Sequence, residues 1–131
     1  AYDAGGFPIY HTNVLMALGK DFVVICMEAV EQGSRIRLEE QFKKTGKDVI
    51  DISFNQMESF AGNMLQVEKA DHNPLLVMSK SAYESLNANQ LSTLESKTDI
   101  LPVSIPTIEQ IGGGSARCMM AEVFLPQRFN V

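Results

Sequence analysis

The sequence predicts an α/β repeat protein assembled from strand-strand-helix-strand units, and three observations predict it. Strand-length apolar runs alternate with capped helices, the order of elements recurs, and like residues recur at a near-constant offset. Asn13-Val14-Leu15 aligns with Asn63-Met64-Leu65 at an offset of 50, and Asp48 to Ser53 aligns with Asp99 to Ser104 at 51. Phe54 to Gly62 likewise matches Ile105 to Gly113. A period of this size, filled by one supersecondary unit, marks a propeller or a stacked array. Residues 1–131 read as part of a single domain of about two and a half units: 9–58, 59–109, and a final strand over 115–125. Units that bury both sheet faces against neighbours cannot close a ring in that number, so whole blades are expected to be missing. A compact two-layer α/β domain containing a duplication satisfies the same pattern.

Residues 9–18 read as the first strand, Gly19-Lys20-Asp21 as a turn, and the apolar run 22–27 as the second strand, with Cys26 a core thiol inside it. Gly33-Ser34 opens a helix through Lys44, with Ile36, Leu38 and Phe42 as its apolar positions and Glu39, Glu40, Lys43 and Lys44 on its solvated face. Thr45-Gly46 ends it. A strand over 48–52 follows. Ser53 then caps a short helix, because Gln56 three residues on completes a capping box. Gly62-Asn63 breaks the chain before a strand at 64–67, and Asp71 to Pro74 is turn chemistry that leaves His72 solvated. The return strand spans 75–78. Ser81-x-x-Glu84 and Asn87-x-x-Gln90 read as two more helix starts, the second helix running to about Lys97. A strand over 99–105 leads to Pro106, which suits the first turn of a short helix before Gly112.

The net charge of -5 disfavours nucleic-acid phosphates. There is no apolar run of membrane-spanning length. The start lacks both Met and the pattern of a signal peptide, so the chain reads as cut from something longer. The two cysteines, Cys26 and Cys118, make neither a disulfide scaffold nor a zinc motif and suit a reducing, cytoplasmic setting.

Chemistry concentrates at Gly112-Gly113-Gly114-Ser115-Ala116-Arg117-Cys118, where a glycine loop enters an apolar run read as a buried strand. A thiol held at such a junction can face a cleft, and Arg117 beside it can favour the thiolate. The bland alternative is a core cysteine after a glycine turn. A phosphate loop is excluded, because it needs a strand before the glycines and a helix after them. His11, at the entrance of the first unit, reads by itself as a structural histidine of a strand; where it meets Cys118 near the propeller axis, the two make the usual pair for thiol chemistry. The repeat equivalent of His11 is Ala61, so the repeat itself does not require an imidazole.

Three segments carry a resemblance over essentially the whole chain: Tyr10 to Met16, Gln56 to Leu65 and Gly112 to Glu122. Together they resemble the C-terminal half of the arginine-deiminase-related amidinotransferases, the guanidino-group-modifying superfamily, in its citrulline-utilisation hydrolase branch. The resemblance implies a partial five-bladed α/β propeller. It also implies Cys118 as nucleophile and His11 as the histidine of the family's His-x-Asp motif. Asn13 departs from that motif, where an Asp binds the guanidinium, and so leaves the substrate's charge open.

The implied reaction is substitution at a guanidino or ureido carbon through a covalent thiouronium-like adduct, by hydrolysis or by amidino transfer. It requires no metal and no organic cofactor. Asn13, Gly113, Gly114 and Arg117 are the expected substrate-binding positions. The expected partner is a small guanidino or ureido compound, with no nucleic acid and no membrane. The family's carboxylates precede His11, so the fragment alone is expected to be inactive. Its exposed blade surface favours self-association or pairing with the missing N-terminal half. Within the chain the nearest carboxylate is Glu122, expected on the face of Cys118 and paired with Arg117 or Arg128. A catalytically silent propeller used for binding, similar to ribosome anti-association factors, is the rival reading.

Overall fold

The structure, a computed structural model, describes residues 1–125. A helical turn, α1 (Thr12–Leu15), leads into β1 (Met16–Leu18), which turns back antiparallel into β2 (Phe22–Ile25). Helix α2 (Gln32–Lys44) carries the chain across to β3 (Asp48–Asp51), which lies parallel to β2. After α3 (Phe54–Glu58) the pattern repeats. Strand β4 (Leu65–Glu68) pairs antiparallel with β5 (Pro74–Ser79), and α4 (Lys80–Ser85) and α5 (Ala88–Glu95) cross to β6 (Asp99–Val103), parallel to β5. The sheets run β1-β2-β3 and β4-β5-β6. They are two like blades of an α/β propeller, and β1 of the first touches β4 of the second.

Burial explains the strand order. All four residues of β2 are buried, as the central strand of a sheet covered on both faces requires, each contributing roughly 1.5–3 kcal/mol. Leu76, Met78 and Ser79 hold the corresponding inner positions of β5. Phe42 anchors α2 to this core and Leu94 anchors α5. Between the blades, Gln56 Nε2 donates to the Ser85 carbonyl at 2.8 Å and to Gln90 Oε1 at 2.7 Å. Gln90 Nε2 in turn donates to the Asp51 carbonyl at 2.6 Å. Both glutamines also close the capping boxes of α3 and α5, so each box serves a helix end and an inter-blade contact at once.

Three expectations are corrected. The strand over 9–18 reduces to Met16–Leu18, because pairing starts only where the Leu15 carbonyl accepts the Cys26 N–H. Upstream, the Val14 N–H bonds to the His11 carbonyl and coils the chain into α1. Helix α4 starts two residues earlier than Ser81 would set it. Ser79 is its cap, accepting from the Ala82 N–H, and the Ser81 hydroxyl turns elsewhere. Residues 115–125 form no strand among the described residues; Ala116–Met119 is a 3₁₀ turn closed by local bonds from Cys118 to Ser115 and from Met120 to Arg117. Val123, Phe124 and Leu125 are exposed, since the apolar run meets no partner strand there. His72 sits in an exposed turn, as expected, with its ring against Glu68. No helix among the described residues is long and apolar enough to cross a membrane.

Candidate active site

The two blade entrances and the glycine loop meet at one sulfur atom. Cys118 is exposed, and Asn63 Nδ2 lies 3.3 Å from its Sγ. Asn13 Nδ2 approaches the same sulfur at 3.9 Å. Asn63, only 4% exposed, is held from both sides. Its Nδ2 also donates to the Asn13 carbonyl at 3.0 Å, and its Oδ1 accepts the Arg117 N–H at 3.1 Å. Two amide N–H groups therefore face the sulfur, and Asn63 Oδ1 lies 3.7 Å from it.

The approach to Asn63 is shaped by Phe60, which ends α3 at φ 64°. A bulky residue in the left-handed region is uncommon and costs of order 1–3 kcal/mol. The conformation lets the Phe60 carbonyl accept the Asn63 N–H at 2.8 Å and turns the chain toward the thiol. Gly62 follows, and a Cβ there would lie 2.4 Å from the Val14 carbonyl oxygen, so only glycine lets the blade entrances come this close.

On the other side, Ile108–Gly112 forms a turn of π-helix, ended by Gly113 at φ 66°. Gly114 then passes against Cys118, and a Cβ at Gly114 would sit 3.1 Å from Cys118 Sγ. These glycines leave room for the thiol at the cleft.

A cavity of about 410 Å³ opens over the sulfur. Its walls include His11, Asn13, Asn63, Gly113, Gly114 and Cys118, together with the carboxylates Asp3 and Glu58. Five of the six expected site residues thus meet in one cleft. Arg117 is not among its lining residues. Its guanidinium shares a neighbouring groove with Glu122, 3.9 Å away, and what it brings to the site is its backbone N–H. Glu122 is on no strand and does not line the cleft; Arg128, its other expected partner, lies outside the described residues.

His11 shares the cavity but not a hydrogen bond with the sulfur; among the described residues the side-chain partners of Sγ are Asn13 and Asn63. The imidazole rests beside Tyr10, with ring centroids 4.7 Å apart. Asp3 Oδ1 accepts from the Gly5 and Phe7 N–H groups at 2.9 and 2.8 Å, so one oxygen builds its own loop. Cys26, by contrast, is fully buried, and burial pushes its thiol up from 9.0, with Glu28 and Asp51 adding to the effect. No group of three or more His, Cys, Asp or Glu side chains is placed to hold a metal ion among the described residues.

Asn63 is legible in the sequence as the repeat equivalent of Asn13, yet its contact with the thiol is not, because no local pattern marks it. Glu58 closes a capped helix one step before the second blade, a position that carries some signal. Asp3 carries none.

Two α/β blades bring a thiol and a histidine to one cavity, the combination expected of the guanidino-group-modifying superfamily. Residues 1–125 match the family model for the eukaryotic N,N dimethylarginine dimethylhydrolase, and the chain belongs to that family. No curated protein matches the sequence. Among solved structures, AgrE in a ternary complex with ornithine and NAD⁺ superposes with a TM-score of 0.67 at 21% identity, over 94% of this chain and 16% of that one. ArgZ, a cyanobacterial arginine dihydrolase of the ornithine-ammonia cycle, gives 0.62 at 15% identity, over 83% of this chain and 16% of that one. The N-terminal domain of an ArgZ variant covalently bonded to a reaction intermediate gives 0.61 at 15%, over 83% and 36%. The chain thus spans about one sixth of the full-length structures it matches, which share its fold.

Proposed function

We propose that this chain supplies the thiol-bearing part of a hydrolase that cleaves a C–N bond in the guanidino or ureido group of an arginine-like substrate. One observation carries the reading: an exposed Cys118, His11 and the carboxylates Asp3 and Glu58 line one cavity of small-molecule size. The carboxylates favour a cationic head, and the side-chain amide of Asn13 suits either a guanidinium or a neutral ureido group.

The Cys118 thiolate adds to the planar carbon and forms a C–S bond. His11 gives a proton to the departing nitrogen, the C–N bond breaks, and ammonia or an alkylamine leaves. With a guanidino substrate, His11 then takes a proton from water, whose oxygen attacks the thiouronium carbon; the C–S bond breaks, the ureido product departs and the thiolate returns. Asn63 and Asn13 hold the sulfur in line throughout. Hydrolysis is preferred over amidino transfer because the matched family and the ArgZ neighbour are both hydrolases by description. The citrulline-utilisation branch and a cytoplasmic setting belong to the same reading, supported by the motif resemblance and by two unpaired cysteines. Turnover is proposed of the protein that carries the remaining blades, because the chain spans 36% of the ArgZ N-terminal domain it superposes on.

The test is ammonia or amine release from arginine, methylated arginines and citrulline by the full-length protein, with and without an added amine acceptor. Turnover that C118S abolishes and H11A strongly reduces is the expected result. Activity that survives C118S overturns the mechanism, and transfer to the acceptor in place of hydrolysis overturns the reaction type.

A further inference from the structure

The thiol loop is tied down by a carboxylate that the reaction itself does not use. Ser115, three residues before Cys118, is fully buried, and its Oγ donates to Glu109 Oε1 at 2.6 Å. The other carboxylate oxygen, Oε2, accepts from the Ser81 hydroxyl. Ser81 Oγ lies 3.1 Å from Ser79 Oγ, which in turn accepts the Ala82 N–H that caps α4. A continuous chain of hydrogen bonds therefore runs from the end of β5, through Glu109, to the residue whose carbonyl accepts the Cys118 N–H at 3.1 Å.

We propose that Glu109 is a positioning residue that clamps the glycine loop to the second blade and thereby holds Cys118 Sγ against Asn63. The geometry leaves little else for it to do. Its two oxygens are occupied by serine hydroxyls from two different segments, and it is absent from the lining of the thiol cavity. The intervening glycines make the loop soft, so an anchor outside them has to fix its position. Burial raises the carboxyl pKa, but hydrogen bonds from Ser115, Ser79 and Ser81 outweigh it and hold the group below its ordinary value, in the charged form the clamp needs. Lys80, Glu58 and Glu84 are the other charged groups on the groove that Glu109 lines.

The kinetic half of this inference rests on the hydrolase reading; the chemical half does not. In the full-length protein at fixed pH, iodoacetamide modification of Cys118 is followed by mass spectrometry in wild type, E109A and E109Q, with Cys26 as internal reference. Loss of the clamp moves the sulfur away from its amide partners, so E109A is expected to react about fivefold or more slowly at Cys118, and E109Q, which keeps one acceptor oxygen, to fall between. With substrate, kcat should drop about tenfold to a hundredfold while KM changes little. A purely structural role would shift the unfolding midpoint and leave the native thiol's rate where it is. Equal Cys118 rates in E109A and wild type overturn the clamp, whatever happens to turnover. If wild type turns over no guanidino compound while the thiol still responds to E109A, the hydrolase reading fails and the clamp stands. Should E109A not fold, S115A and S81A each remove one anchor, and unchanged Cys118 rates in both overturn the proposal.

Discussion

Asn13 and Asn63 stand fifty positions apart, each just before the first strand of its blade, and each turns a side-chain amide toward the same Cys118 sulfur. The Asn63 amide also holds the Asn13 backbone, so the second blade fixes the entrance of the first. A repeat thus becomes a site when its copies present one position to one point.

Replacing Asn63 should cost both stability and reactivity. N63A leaves the Arg117 N–H and the Asn13 carbonyl without their partner, worth about 1–3 kcal/mol for each group that stays buried. N63D instead places an anion beside the sulfur and should slow alkylation of Cys118 with a smaller loss of stability. Urea unfolding and thiol labelling measure the two; an N63A variant as stable as wild type would contradict the assigned contacts.

The three adjacent glycines should respond differently to alanine. At Gly112 an added Cβ meets only Ile108 Cγ2 at 3.9 Å, so G112A is expected to be neutral or slightly stabilising. G113A forces a side chain into φ 66° and should lose about 1 kcal/mol. G114A pushes a Cβ to 3.1 Å from Cys118 Sγ and should change thiol reactivity most. A uniform response of stability and thiol labelling across the three variants would show that the loop geometry is wrong.

Limiting alkylation of the folded protein should label Cys118 and spare Cys26. The buried thiol adds a pH dependence of its own. Its folded pKa is raised, so its contribution to stability is complete below the ordinary value of 9.0 and is lost as pH rises through the folded value. C26A should flatten the alkaline slope of stability, and labelling of Cys26 ahead of Cys118 would reverse the assignment.

Glu109 predicts the opposite limb. Its folded pKa is lowered, so the stability it contributes is complete above the ordinary 4.5 and is lost as pH falls through the folded value. The urea midpoint of wild type should therefore fall more steeply on acidification than that of E109Q. Parallel curves would mean that the carboxylate is not held by its serines.

Much of the fold is legible in the sequence wherever the deciding physics is local. The Ser53-Gln56 and Asn87-Gln90 boxes involve four consecutive residues and appear as read. Ser81-x-x-Glu84 has the same local form and fails, because the Glu109 carboxylate from a distant segment takes the Ser81 hydroxyl and leaves Ser79 to cap α4. The run after Cys118 has the composition of a strand, but composition cannot supply a partner. As lining residues of one cavity, Asn13 is legible through the repeat, Cys118 through the glycine loop and His11 only through the family resemblance. Asp3 is not, and Glu58 carries only the weak signal of its place at the end of a capped helix, since only the closure of the cleft brings both to the thiol cavity.

The distances along the chain have a consequence for the order of assembly. Each sheet pairs strands close in sequence, whereas the contacts that meet at Cys118 join residues 50 to 105 positions apart. Local pairings close cheaply and early; the thiol site has to wait for both blades and the glycine loop to dock. Mild denaturant should accordingly retrace that order from its end, releasing the loop while circular dichroism still reports intact sheets. A population with complete secondary structure and a disengaged cysteine is then the first species on the way to unfolding, and the one most open to oxidation.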